Sequence, residues 1–245
     1  MRRLLLAVAA GILQVLSFAP VGWWWTAPLG VALMVWALRD AQRPAWLGAA
    51  TGAAFFLPLL HWITVLGLDA WLALSAAMIA WYAALGWAIA SVLILRWWVL
   101  AVPAVWVGQE WLRGRFPWGG LGWGRLAFGQ PDSPLTGWVT LGGAPLLSFG
   151  VAFLGCLLVL AFSSWRSALV SVAAAAGLVL VGMLVAPVTQ ALSQPSGSQL
   201  AVVQGNTPQP GIDFLGRPLA VLSNHSRTTM ELAQKVTAGE EPAPE

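Results

Sequence analysis

The chain has 245 residues, of which 59% are hydrophobic and 9% are charged, with a formal net charge of +3. A soluble globular domain is about 45–50% apolar and about 25% charged, so these side chains cannot cover a water-facing surface. The composition therefore excludes a soluble globular protein, a disordered chain and a nucleic-acid-binding protein. It predicts a protein that crosses a membrane several times.

Charge-free runs predict about seven membrane-spanning helices. A spanning helix needs about 20 mostly apolar residues, and the first charge-free run, residues 4–38, is too long for one such helix. Pro20 and Gly22 divide it into two short spans. The predicted spans cover residues 4–19, 22–38, 44–68, 70–95, 97–112, 142–163 and 167–187. These spans predict a transmembrane domain over residues 1–190.

The arginines predict how the spans are oriented, because cytoplasmic loops are enriched in Arg and Lys. A cytoplasmic N-terminus places six arginines inside: Arg2, Arg3, Arg39, Arg43, Arg96 and Arg166. The loop at Asp69 and the chain after residue 188 then face the extracytoplasmic side of the plasma membrane. A cleaved N-terminal signal peptide is the alternative; it is disfavoured because the next apolar segment follows without a polar start.

One exterior segment, residues 113–140, breaks the positive-inside pattern. It is rich in glycine, which disfavours a straight helix by about 1 kcal/mol per residue relative to alanine, and it carries Arg113, Arg115, Trp118 and Arg125. Aromatic rings suit the lipid headgroup zone, and guanidinium groups pair with phosphate. Two interpretations are open on these residues alone: a phospholipid-binding or re-entrant loop, and an interfacial linker with snorkelling arginines.

Other polar residues of the spans are few. Glu110 precedes Arg113 by three residues, a helical spacing that predicts a local ion pair. His61 is interpreted as a hydrogen-bonded structural residue and Asp69 as a solvated loop residue. Cys156 is the single cysteine, which excludes an internal disulfide, and its apolar neighbours predict a packing role.

The composition becomes polar after Pro187, and the pattern of apolar residues changes from Ser198 onward. Residues 199–203 predict a short strand, residues 204–211 a turn, and residues 217–237 an amphipathic helix. One strand and one helix are fewer elements than a stable domain needs. We interpret residues 198–245 as an incomplete domain and the sequence as a fragment; the alternative is a docked hairpin with a disordered acidic end.

Several motifs resemble the apolipoprotein N-acyltransferase family. Val202-Val203-Gln204-Gly205-Asn206, after seven spans, is similar to the start of the family's nitrilase-like domain. The other motifs occur in the family's order, at residues 16–20, 55–56, 62–63, 112–114, 116–118, 121–122 and 211–229. The last of these resembles actinobacterial members. The resemblance extends over nearly the whole chain.

The resemblance implies a fold and an activity. The fold is an all-α polytopic membrane bundle followed by the first strand and helix of a truncated α/β (αββα) domain. The family transfers an acyl chain from a phospholipid to the diacylglyceryl-modified N-terminal cysteine of a lipoprotein. It uses covalent catalysis by a Glu–Lys–Cys triad, without a metal or cofactor. The expected partners are thus the phospholipid donor, the lipoprotein acceptor and the membrane, with no nucleic acid.

No residue of this sequence matches the triad, so the chain is predicted to be inactive alone. The predicted lipid-binding residues are Arg113, Arg115, Trp118 and Arg125, joined by Phe214 through the resemblance. Replacing Arg113 by alanine is expected to weaken phospholipid use with little loss of protein. The alternative function is a complete non-catalytic transporter or lipid-binding scaffold. Transporters usually show matching helix breaks in two related halves, and this sequence shows one break, near residues 20–22.

Overall fold

The computed structural model describes residues 1–117, 119–192, 200–205 and 218–242. Within these ranges all regular secondary structure is helical, with two short 3₁₀ helices at His61–Val65 and Leu126–Gly129. The α-helices are α1 (Arg2–Leu16), α2 (Thr26–Leu38), α3 (Pro44–Leu59), α4 (Leu68–Val92), α5 (Trp98–Arg113), α6 (Trp138–Ala161), α7 (Trp165–Leu192) and α8 (Pro218–Thr237).

Each predicted span overlaps one of the helices α1–α7. By length and apolar composition, three segments of the described chain can cross a membrane: Leu68–Val92, Trp138–Ala161 and Trp165–Val185. The helices α2 and α3 are apolar but shorter. At 1.5 Å per residue, the 15 residues of α1 extend over about 22 Å, less than the roughly 30 Å of a bilayer core. The apolar, helical character is confirmed, and the seven-span topology stays a prediction.

Glycine and proline interrupt the helical structure at two places, and the sequence predicts the first of them. Residues 17–25 separate α1 from α2, and Gly22 there has a φ of +70°. Inside α6, Gly142 and Gly143 leave helical geometry, and Gly143 has a φ of +66°. Glycine adopts this region without the steric cost that a Cβ imposes. The regular part of α6 consequently begins close to residue 142, where the sixth span was predicted.

The chain divides into two compact units, one of residues 1–61 and 72–192 and the other of residues 62–71 and 193–245. In the first unit, α1 packs against α2 and α3, while α6 packs against α2, α5 and α7. This unit contains most of the apolar helical surface and all of the site described below.

Small residues bring α3 and α4 into backbone contact. A Cβ added to Gly48 of α3 would lie 2.9 Å from the Cα of Gly86 in α4, and a Cβ on Gly86 would lie 2.8 Å from the Cα of Gly48. Gly48 and Gly52 form a Gly-x-x-x-Gly pair, the spacing that lets membrane helices approach closely. Tyr82 of α4 is thereby brought to α1, where its hydroxyl donates to Gln14 Oε1 over 2.9 Å.

The helix termini of this unit form two ends. At the first, Arg39 after α2 lies over the ring of Trp98 at the start of α5, 5.1 Å from its centroid, and Trp36 of α2 contacts Phe162 after α6. We name this the arginine end. At the second, the loop end, Gly129 lies against Ser17, which follows α1.

In the second unit, the predicted amphipathic helix is present as α8. Arg227 and Glu231 pair one turn apart over 3.8 Å, while Leu219, Leu222 and Met230 on its apolar face are exposed. Residues 200–205 have no regular structure, and the rest of the predicted strand and turn lies outside the described residues. A strand is defined by hydrogen bonds to a neighbouring strand, and the described part of the chain supplies no such neighbour.

Candidate functional site

The site is built from one face of α5 and the loop that follows it. Trp106, Glu110 and Arg113 recur at helical spacing, which places them on the same side of the helix. All three are buried. Charged side chains at such positions are rarely buried unless other groups satisfy them, so their partners define the site.

Arg113 holds the backbone of the loop. Its Nη1 donates to the carbonyl oxygens of Leu121, over 3.0 Å, and of Trp123, and its Nη2 donates to the carbonyl oxygen of Gly124 over 3.3 Å. The Leu121 N–H donates back to the Arg113 carbonyl over 2.9 Å. The guanidinium also lies over the Phe56 ring, 5.3 Å from its centroid. The side chain is 0% exposed, so it is enclosed by the loop.

Glu110 and Ser148 hold the next part of the loop. Glu110 Oε1 accepts the N–H of Leu126 over 2.8 Å, and Ser148 Oγ accepts the N–H of Ala127 over 3.1 Å. These two N–H groups begin the 3₁₀ helix Leu126–Gly129, where the helix itself supplies no acceptor. Glu110 Oε2 makes no hydrogen bond of standard geometry, and the Ser148 hydroxyl is a neighbour of the Glu110 carboxyl group. Glu110 thus acts as a buried cap.

Two glycines let the loop approach its supports. Gly120 has a φ of +69°, and a Cβ there would overlap the Arg113 carbonyl oxygen and the backbone of Gly114. Gly124 has a φ of +74°, and a Cβ there would lie 2.8 Å from Phe56 Cε1. Both positions require positive φ and close backbone approach, which glycine alone permits without strain.

The predicted ion pair between Glu110 and Arg113 does not form: no ion pair joins these two groups in the described structure. They interact electrostatically at longer range, and Arg125 is within the same range of both. The helical spacing is as predicted, but Arg113 donates to loop carbonyl groups and Glu110 accepts from a loop N–H group. The tertiary fold therefore replaces a local contact by two separate anchors.

Arg125 is the second cation of this group. It is half-buried, and its guanidinium lies against the backbone of Gly114, where an added Cβ would be 2.8 Å from its Nη2. Its buried Nε atom has no hydrogen-bond partner. Among the described residues, one carboxylate, Glu110, thus faces two guanidinium groups, those of Arg113 and Arg125.

The outer side of the loop is aromatic and exposed. Arg115 lies over the ring of Trp111, 4.3 Å from its centroid, and its Nη1 donates to the Trp111 carbonyl oxygen over 3.2 Å. Phe116 is 66% exposed and Trp123 is 49% exposed. We name Trp111, Arg115, Phe116 and Trp123 the aromatic rim. It combines apolar rings with a cation, the composition expected at a membrane interface.

The five predicted lipid-binding residues are therefore placed differently from one another. Arg113 is enclosed, Arg125 is half-buried, and Arg115 is exposed on the rim. Trp118 and Phe214 lie outside the described residues. Sequence reasoning missed the capping role of Glu110 and the part played by Ser148. The Glu-x-x-Arg spacing before a glycine-rich segment is the available signal for the first; Ser148, 21 residues beyond Ala127, has no local signal.

Apolar helices of spanning length, together with an irregular loop held by buried charges, define a helical membrane protein with a polar site at one end of its helices. Within this class the family is specific: the model of the apolipoprotein N-acyltransferase N-terminal domain matches residues 10–157, and the chain belongs to that family. The match includes the helices α2–α5, the loop and most of α6.

Curated relatives agree with this assignment. The chain is 38% identical to an apolipoprotein N-acyltransferase of Mycolicibacterium smegmatis, in an alignment that covers 95% of this chain and 43% of the relative. It is 33% identical to those of Chromobacterium violaceum and Ralstonia nicotianae, over 94% and 83% of this chain and 43% and 42% of the relatives. The chain thus spans about two fifths of the length of the relatives that it matches.

Proposed function

We propose that this chain forms the membrane part of an apolipoprotein N-acyltransferase and that its residues 113–125 receive the phospholipid acyl donor. The observation that carries the proposal is the loop itself, which Arg113 and Glu110 hold from inside while Arg125 and the aromatic rim remain accessible. In this arrangement Arg113 contributes through the loop that it positions, and Arg115 and Arg125 contact the lipid. Trp118 and Phe214 complete the proposed lipid-binding set.

Charge favours an anionic group at Arg125. Two guanidinium groups beside one carboxyl group leave at least one positive charge uncompensated in a partly buried region. An unpaired charge is costly in such surroundings, and a phosphate oxygen would both balance it and accept from the unpartnered Nε. Arginine is well suited to this role because its donors match phosphate geometry.

The rim favours a lipid as the source of that phosphate. Exposed rings beside a cation favour headgroup depth for this end of α5, with the rings toward the acyl chains. The predicted seven-span topology with a cytoplasmic arginine end would put the loop on the extracytoplasmic side. That side is also where an exported lipoprotein would present its modified N-terminal cysteine as the acceptor.

The acyl transfer itself requires a nucleophile that can reach the lipid. Cys156 is 0% exposed inside α6. This burial favours a packing role for its side chain and disfavours attack by its thiol on a lipid ester. Lys235 lies on α8 of the second unit. We therefore expect the 245 residues alone to bind donor lipid without transferring its acyl chain.

A chimaera tests the proposed function. Residues 1–245 would replace the aligned part of the Mycolicibacterium smegmatis relative, and transfer of a labelled acyl chain from phospholipid to a diacylglyceryl-cysteine lipopeptide would be measured in proteoliposomes. We expect transfer by the chimaera, unchanged transfer by its Cys156→Ala variant, and none by the 245 residues alone. Transfer by the 245 residues alone, or a membrane-inserted chimaera that never transfers while the relative does, would contradict the proposal.

Replacing Arg125 by glutamine in that chimaera is expected to lower kcat/KM for phospholipid by roughly tenfold or more. The reason is that a charge-assisted hydrogen bond, of about 1.5–3 kcal/mol, is lost. Arg125→Lys should recover part of the rate because it restores the charge without the planar fork. Arg166→Gln is the control: it removes an exposed arginine at the arginine end, where Arg166 lies over the ring of Trp165, 5.4 Å from its centroid. Equal kinetics for Arg125→Gln and Arg166→Gln would refute the role of Arg125.

A further inference from the structure

The arginine end contains a cavity that the acyltransferase proposal does not use. Its volume is about 290 Å³, and its lining brings the first turn of α1 to the end of α2. The lining residues are Arg2, Arg3, Leu6, Trp36, Arg39 and Asp40. A neighbouring cavity of about 440 Å³, between the ends of α2 and α4, shares Arg39 and Asp40 with it.

The lining has an excess of positive charge. Three guanidinium groups face one carboxylate, and within the described chain no ion pair joins Asp40 to Arg2, Arg3 or Arg39. The helix α1 also begins here, at Arg2, without a side-chain cap on its first N–H groups. The N-terminus of a helix carries a partial positive charge and binds anions. The cavity is consequently suited to an anion with several acceptor oxygens.

The apolar part of the lining points to a lipid as the carrier of that anion. Leu6 and Trp36 are the apolar lining residues, and the ring of Trp36 contacts the exposed ring of Phe162, with their centroids 5.2 Å apart. Basic pockets between membrane helices bind anionic lipid headgroups. A dissolved phosphate ion would pair with the arginines but would make no apolar contact with the exposed rings.

We infer that this cavity, defined by Arg2, Arg3 and Arg39, binds the phosphate headgroup of an anionic phospholipid, with the acyl chains along Trp36 and Phe162. This second lipid lies at the opposite end of α5 from the loop of residues 113–125. The helix α5 begins at Trp98, beside Arg39, and ends at Arg113, where the loop starts. We therefore infer that this lipid binds to the helices as a structural lipid and is not the acyl donor.

Native mass spectrometry of the 245-residue protein, titrated with phosphatidylglycerol or phosphatidylcholine, tests the inference. We expect one phosphatidylglycerol to bind at least about tenfold more tightly than phosphatidylcholine, since each arginine near an anionic lipid contributes about 1 kcal/mol. The triple variant Arg2→Gln, Arg3→Gln, Arg39→Gln should lose this preference. The single variant Arg39→Gln should reduce it severalfold, which keeps the test decisive if the triple variant does not fold.

The matched control removes the same charge from the same end of the helices. Arg43→Gln, Arg96→Gln and Arg166→Gln together lower the net charge by three, but none of these residues lines either cavity. This control should keep the preference. Equal losses in the two triple variants would show a general charge effect and overturn the inference. Complete displacement of phosphatidylglycerol by millimolar inorganic phosphate would also overturn it, because the site would then recognise the free ion.

Discussion

Replacing Arg113 by alanine is expected to lower the free energy of unfolding by roughly 3–5 kcal/mol, the cost of removing one member of a buried charged group. The carbonyl oxygens of Leu121, Trp123 and Gly124 would lose their donor, and Glu110 would lose a neighbouring cation. The loop should detach from α5, and acyl transfer in the chimaera should fall with it. Thermal unfolding in detergent measures the loss of stability, and tryptic cleavage after Arg125 measures the detachment of the loop.

Arg115→Ala is the control for this prediction, because Arg115 is exposed and its main contacts are with the Trp111 ring and carbonyl oxygen. Its effect on stability should stay within about 0.5 kcal/mol, as for most surface substitutions. Arg113→Lys should be intermediate, since an ammonium group cannot reach three carbonyl oxygens as a planar fork does. An Arg113→Ala protein as stable and as protease-resistant as Arg115→Ala would contradict the anchoring role. The result expected from the structure thus differs from the sequence-based expectation of little protein loss.

Replacing Gly86 by valine is expected to destabilise the protein by about 3 kcal/mol or to prevent folding. Its Cβ would lie 2.6 Å from the Pro44 carbonyl oxygen and 2.8 Å from the Cα of Gly48, which are backbone atoms that cannot move aside. Overpacking alone costs about 1–3 kcal/mol, and separating α3 from α4 would also break the hydrogen bond from Tyr82 to Gln14. The yield of monodisperse protein and its thermal stability provide the measurement.

Gly108→Val is the matched control, because a Cβ at Gly108 on α5 would have no atom within 4 Å. Valine has a somewhat higher helix propensity than glycine, so this variant should retain at least wild-type yield and stability. If Gly86→Val behaved like Gly108→Val, the close packing of α3 on α4 would not be a determinant of the fold.

Much of the architecture follows from the linear pattern of apolar, charged, glycine and proline residues. A run of apolar side chains can lie in a membrane only if its backbone groups bond internally, and this requires a helix. Pro20 with Gly22, and Gly142 with Gly143, mark helix breaks because of their local backbone preferences. The positions of α1–α7 and the amphipathic character of α8 are thus local properties that the sequence alone indicates.

The roles of the charged residues depend on contacts between distant parts of the chain. The sequence identified Arg113 as a candidate residue, and its spacing from Glu110 predicted an ion pair between the two. In the folded protein, Arg113 instead donates to carbonyl groups of the loop, and Glu110 accepts an N–H group of the loop. Ser148 of α6 holds the same loop, because its hydroxyl oxygen accepts the N–H of Ala127. In the same way, Arg2 and Arg39 line one cavity because α1 and α2 pack as neighbours.

The sequence by itself therefore determined that this protein is an apolar helical chain with a glycine- and arginine-rich loop, because helix formation and chain breaks depend on neighbouring residues. The tertiary structure decided which arginine is enclosed, which is half-buried and which faces outward, because burial of a charge depends on the backbone groups that packing brings to it.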